Sequence, residues 1–447
     1  MMDFTLLSAV LVGIAVLLLL ILRFKLQAFI ALLIASIVVG VIAGMQPYAI
    51  INTMQEGMAN TLGFVAVVVG LGAMFGAVLE HSGGAEALAN YLLKKFGEKR
   101  ASSALMLTGF FVAIPVFFDV AFIILVPLIY SLQRKTKKSL LLYGIPLLAG
   151  LAVTHAFIPP TPGPVAVADI LKADLGWVIT FGALVGFPAA IVSGPVFGKY
   201  IAKKIHVEAP ALDSVFLPKE KYPAVGLILS IIGIPIVLIV LNTLLNSPLT
   251  NNINISQTLR LWMKMIGHPF SALIIANLIA WYVLGVARGV SNSELLKITT
   301  KSMAPAGIII LLTGAGGVFK QMLINTKAGE MMANYFAEQG VSIFLFAFLA
   351  AVLVRILQGS STVAMITAAG LTAPLLTVGI SEVDKALLVI AIASGASILS
   401  HVNDSGFWLV SKYLGISEQQ TFRSWTLMTT ILSLVGFGTV CVLSFLV

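Results

Sequence analysis

The sequence predicts an all-α polytopic membrane protein with two inverted-repeat halves. Each half carries a re-entrant hairpin and a broken transmembrane helix. Three observations lead there. Hydrophobic residues make up 59% of the 447-residue chain and charged residues only 10%, against roughly 25% charged in soluble domains. Glycine and proline interrupt the apolar runs, as in membrane helices that bend or unwind. Basic residues gather at the ends of alternate segments, the pattern of cytoplasmic loops. That distribution accounts for the net charge of +9, so membrane lipid and not nucleic acid is the expected surroundings. The single cysteine, Cys441, excludes an internal disulfide framework and thiolate metal sites. No metal and no cofactor is expected.

A span needs ~20 apolar residues, so the chain has room for about ten to twelve. Phe4–Leu22 is the first; no basic region precedes it and it is too long for a signal peptide. Gln27–Met45 and Thr61–Glu80 follow, with the polar Gln46–Asn60 between them, and Glu80 and His81 read as a solvated interfacial pair. Ser102–Ser131 is interrupted by Pro115, Phe117, Phe118, Asp119 and Pro127, and lysines and arginines flank both of its ends. A segment basic at both ends enters and leaves on one side, which makes it a hairpin. Within Leu140–Ala173, Pro159, Pro160, Pro162 and Pro164 break the helix. Trp177–Gly198 closes the first half, residues 1–205, and the polar stretch 206–221 reads as a cytoplasmic linker.

Residues 222–447 repeat the plan. Tyr222–Leu241, Pro269–Val286 and Pro305–Ile324 span, and Leu259–Ile266 reads as interfacial. A second hairpin occupies 342–378, with Gln358-Gly359-Ser360-Ser361-Thr362 at its tip, because glycine and hydroxyl residues weaken a helix there. A second broken helix, 385–412, parts at His401–Ser405, and a last span lies near Trp425–Phe445. Placing loops on alternate sides puts most of the basic residues with the linker, and both termini outside the cell.

The two halves share a register. Gly72–Tyr91 aligns without gaps on Gly316–Tyr335, matching Phe75 with Phe319, Glu86 with Glu330 and Asn90-Tyr91 with Asn334-Tyr335. The topology places Glu86 inside and Glu330 outside, so the repeats are inverted. Interrupted segments at corresponding places in inverted halves mark the site of a secondary transporter.

The runs GSSTVAMITAAGLTAPLL, SHVNDSGFWLVSKYLG and HAFIPPTPGPVAVADIL closely resemble the gluconate–proton symporter (gluconate permease) family, within the ion transporter superfamily. The resemblance covers essentially the whole chain. It implies uptake of a small hydroxy-acid anion with protons across the cell inner membrane. It also implies a homodimer in which scaffold and transport domains move as an elevator. Members differ in substrate (gluconate, related hexonates and hexuronates, glycerate, D-serine), and the motifs do not choose among them.

An anion suits the positive ends of broken helices. Ser360, Ser361 and Thr362 at one tip, and Asn403 and Ser405 at the second break, are candidate substrate contacts; helix-turn scaffolding is the plainer alternative. Gly359 and Gly406 allow the backbone to approach. Thr161 and Gly163, among the prolines, are weaker candidates. Arg355 must face a cavity or a partner, since lipid exposure is costly: it binds the carboxylate or pairs with an acid such as Asp119, and pairing is favoured. Asp119, Asp404, His155 and His401 are the candidates for the coupled proton. Serine, histidine and aspartate also serve hydrolases, but they lie on separate segments with no GxSxG or HExxH motif, so an enzyme is not expected. A channel would conduct without proton dependence.

Overall fold

The structure, a computed structural model, describes residues 4–210, 222–246, 256–328, 342–376, 380–402 and 404–446. Among these, helices and no strands are found. The first half contains α1 (Phe4–Leu22), α2 (Ala28–Ile42), α3 (Pro47–His81), α4 (Gly84–Phe96), α5 (Ala101–Val112), α6 (Phe118–Thr136), α7 (Leu141–Phe157), α8 (Pro162–Leu171) and α9 (Leu175–Lys204). The second contains α10 (Val225–Asn246), α11 (Gln257–Ile266), α12 (Pro269–Arg288), α13 (Asn292–Asn325), α14 (Ile343–Gln358), α15 (Ser361–Thr372), α16 (Glu382–Ala396), α17 (Ser405–Leu414) and α18 (Glu418–Ser444).

Among the described residues, seven helices are long and apolar enough to cross a membrane, with α7 and α8 taken as one. The chain's length suggested more. The difference lies in α1 and α2 and in the limbs α14 and α15 of the second hairpin, whose apolar helical stretches of 10–17 residues are too short to count alone. The polar stretch Gln46–Asn60 is not a loop: it forms the first turns of α3, opened by Pro47 at the first helical position. Similarly, α13 begins at Asn292, well before the apolar run, capped by Ser291 on the Glu294 amide. Hydropathy reports only the part of a helix that needs lipid, whereas capping decides where it starts.

These two long helices cross closely. A methyl group on Gly57 would stand 2.8 Å from the Gly317 carbonyl oxygen, so the backbones nearly touch. With α2 against α13, α12 against α3, and α10 packed between α12 and α9, they form a frame. With α1 against α2 and α11 against α10, the remaining helices, α4–α9 and α14–α18, pack as an inner bundle around α7 and α16, whose residues are mostly buried. The two expected hairpins differ in build. Limbs α14 and α15 pack directly on each other, whereas α5 and α6 are joined through α7, against which both lie. The start of the linker is strapped to the bundle: the Leu140 amide donates to the Val207 carbonyl at 2.8 Å, and Ser139 donates to that of Ile205. The expected interfacial pair is also differently placed, with His81 Nε2 lying 3.6 Å from Glu294 at the start of α13.

Amphipathic α11 exposes Leu259, Leu261, Trp262 and Met265, as a helix at the lipid interface would. The end of the second aligned block, including Glu330 and Tyr335, falls outside the described residues, whereas the first block lies in α3 and α4.

Candidate functional site

Four helix interruptions meet in the inner bundle. At the second hairpin α14 stops at Gln358 because Gly359 takes φ +88°, a left-handed conformation that only glycine adopts without strain. The Gly359 amide donates to the Arg355 carbonyl at 2.9 Å. Ser360 then opens α15, its hydroxyl accepting from the Val363 amide at 3.3 Å. At the second broken helix, Asp404 opens α17 and accepts from the Gly406 amide at 3.0 Å. Asp119 sits in the first turn of α6, just past the interruption at 113–117, and His155 lies near the end of α7.

Between these ends is a cavity of about 530 Å³, within the ~300–1,000 Å³ range of small-molecule sites. Phe117, Phe118, Asp119 and Val120 line it from the first hairpin, and Arg355, Gly359, Ser360, Ser361 and Thr362 from the second. His155 comes from α7; Ser397, Asp404, Ser405 and Gly406 come from the second break. The frame contributes Pro305 and Ile309, and α18 contributes Trp425, Thr429 and Leu432. Helices α6, α15 and α17 all begin at this space. First-turn amides have no partner inside their own helix, so the cavity lies among positive helix ends.

The charged side chains are arranged unequally. Arg355, 3% exposed, bonds Asp404 Oδ2 through Nη2 at 2.6 Å and the Ile398 carbonyl through Nε at 3.2 Å. Its Nη1 reaches the Gly359 carbonyl. The expected partner was Asp119; the structure replaces it with Asp404, since Arg355 folds back over its own tip toward the neighbouring break. Asp404 Oδ2 also accepts from Ser400. Asp119 is instead exposed to the cavity. His155 is half-buried beside Phe117 and Phe118, and its buried Nδ1 has no hydrogen-bond partner among the described residues.

Ten of the candidate site residues singled out in the sequence thus share one space: Asp119, His155, Arg355, Gly359, Ser360, Ser361, Thr362, Asp404, Ser405 and Gly406. Three lie elsewhere. Thr161 lines a separate small space beside Gly72 and Pro115, and its hydroxyl donates to the Ile158 carbonyl at 2.6 Å. Gly163 packs against Met365. His401 does not line the cavity; its Nε2 meets the Ile356 carbonyl at 2.8 Å. Asn403 lies outside the described residues. Sequence reasoning overlooked Trp425, Thr429 and Ser400. Their signal was the polar cluster Ser424-Trp425-Thr426 with Thr429-Thr430 in an otherwise apolar span, since polar groups at membrane depth turn toward protein.

A many-helix membrane protein whose interrupted helices surround an open cavity, mostly apolar with a few convergent polar side chains, has the architecture of a solute permease. The GntP family permease model matches residues 5–446, and the chain belongs to that family. A gluconate permease of Pseudomonas aeruginosa is 40% identical over 450 residues, covering 99% of this chain and 98% of its own. The Gnt-II system L-idonate transporter of Escherichia coli K12 is 36% identical, covering 95% of each chain. The fold is similar to the crystal structure of the YdaH transporter of Alcanivorax borkumensis, described as having an unusual topology. There the TM-score is 0.64 at 15% identity, over 97% of this chain and 98% of that one.

Proposed function

We propose that this permease imports a sugar-acid monoanion, gluconate or a related hexonate, together with a proton. The observation that carries the reading is the charge balance of the cavity. Arg355 and Asp404 neutralise each other, which leaves Asp119 as the remaining charged side chain on the wall. An anion entering beside an ionised Asp119 meets a like charge in a poorly screened space. Protonating Asp119 removes that repulsion, so proton and anion bind best together. The hydroxyls of Ser360, Ser361, Thr362 and Ser405 match a polyol chain, and the positive ends of α15 and α17 suit its carboxylate. The names of the relatives favour this class, and that of the L-idonate relative supports a hexonate other than gluconate as the competing substrate.

Mechanistically, the inner bundle is the moving body and the frame of α2, α3, α10, α12 and α13 is the scaffold. The two halves act as inverted repeats, with hairpins that enter and leave on one side. The protein resides in the inner membrane as a homodimer with both termini outside. One proton crossing with one monoanion is electroneutral, so a pH gradient alone drives it. In proteoliposomes an inward proton gradient concentrates labelled gluconate or idonate, and uptake falls as the outside pH rises. Uptake that only equilibrates, whatever the gradient, overturns the reading. Asp119→Asn, fixed in the neutral state, abolishes gradient-driven accumulation but keeps gluconate–gluconate exchange.

A further inference from the structure

The last helix holds the second break at one residue. A single π turn at Phe422–Thr426 in α18 changes the helical register, a device frequent at functional sites. Trp425 and Thr426 thereby both face Ser400. The indole Nε1–H of Trp425 donates to Ser400 Oγ at 2.6 Å, and Thr426 donates to the Ser400 carbonyl. The Ser400 amide donates to Thr429 Oγ1 at 3.2 Å. Trp425 is 3% exposed and Ser400 fully buried.

A serine hydroxyl has one proton to give. With the indole N–H occupying its acceptor side, that proton is directed to Asp404 Oδ2, the oxygen that also receives Arg355 Nη2. A guanidinium has five N–H donors. Among the described residues three are engaged, by Ile398, Gly359 and Asp404, which leaves two on a group that lines the cavity. Their direction depends on where Asp404 is held.

We propose that Trp425 is a positioning residue for the anion site: through Ser400 and Asp404, its indole N–H aims the free donors of Arg355 into the cavity. This rests on the reading of the cavity as a sugar-acid site. Trp425 also lies 5.6 Å, centroid to centroid, from Phe118, the neighbour of Asp119. One ring therefore touches both the hairpin that bears Asp119 and the break that bears Asp404, the acid of the ion pair.

The test compares the wild type with Trp425→Phe, Trp425→Ala, Ser400→Ala and the double variant Trp425→Phe/Ser400→Ala, as full chains in proteoliposomes. Trp425→Phe and Ser400→Ala each raise the half-saturation concentration for gluconate about three- to tenfold, the worth of one hydrogen bond. Maximal rate stays within about twofold, the signature of lost binding that is uniform between ground and transition states. The double variant is no worse than Ser400→Ala, because both cut one chain of bonds. Additive effects, or a silent Trp425→Phe beside an impaired Trp425→Ala, overturn the proposal, since the ring alone would then matter. A second readout needs no substrate: modification of Arg355 by phenylglyoxal, followed by peptide mass. It is at least about threefold faster in Trp425→Phe and in Ser400→Ala if a hydrogen bond has been lost, and an unchanged rate also overturns the proposal. If wild type fails to concentrate any hexonate, the proposed function falls, and the phenylglyoxal rates still decide the relay.

Discussion

The two helix breaks use different physics. Between α7 and α8 the chain reads Ile158-Pro159-Pro160-Thr161 before Pro162, and proline rings fix the backbone without help from neighbours. Its polar side chain, Thr161, is spent on the local Ile158 carbonyl. Between α16 and α17 the chain reads Ser397 to Asp404 with no proline. Here Leu399 takes φ +46°, unusual for a residue with a side chain, and hydrogen bonds from Arg355, Trp425 and Thr426, with one from the Ser400 amide to Thr429, maintain the geometry. A proline break is braced from within and indifferent to charge. A hydrogen-bonded break depends on distant helices, and it carries Asp404, one of the charged residues that line the cavity. Rigidity and chemistry are thus divided between two places that look alike in a hydropathy profile.

Substitutions at the two breaks should therefore differ in size. Arg355→Ala leaves the half-buried Asp404 carboxylate without its cation, and should lower stability by up to about 3–5 kcal/mol, read as a large fall in thermal unfolding temperature or loss of folded protein. Gly359→Ala forces a side chain into the left-handed region at the hairpin tip and should cost about 1–2 kcal/mol. At the other break, Thr161→Val removes one local hydrogen bond, about 1 kcal/mol, and should leave half-saturation for gluconate unchanged; a marked rise there would put substrate at the proline break after all. Far from both breaks, Glu98 pairs with Lys135 at 2.5 Å on the surface. The hydrogen bond and charge of Lys135 hold the Glu98 carboxyl below its usual range. That stabilisation is present at neutral pH and is lost as pH falls through the lowered value. Because the pair is exposed, Glu98→Gln should not measurably move the unfolding temperature at any pH.

The breaks were legible because proline, glycine and clustered hydroxyls have local causes: Pro159–Pro164 and Gly359–Thr362 disrupt helices wherever they stand. Asp119, Arg355 and Asp404 stood out because charge is rare in apolar runs. What stayed hidden was set by distance along the chain. Nothing near Arg355 says that it turns to Asp404 and not to Asp119, since that choice belongs to the packing of α14 on α16. Trp425 lies 25 residues from Ser400, in a span whose composition is ordinary apart from its few hydroxyls. Thr161 misled for the opposite reason: a hydroxyl among prolines looks available until its own backbone claims it.

Gly76, in the frame helix α3, lies against the tip of the first hairpin, where an added methyl carbon would fall 1.9 Å from the Pro115 carbonyl oxygen. The hairpin that ends in Asp119 is therefore docked in a dent one hydrogen atom deep. Any stroke that carries it past α3 has to start by lifting out of that dent. An alanine at position 76 would act like a pebble in a door track, shifting the resting position of the first hairpin while leaving every residue of the cavity wall unaltered.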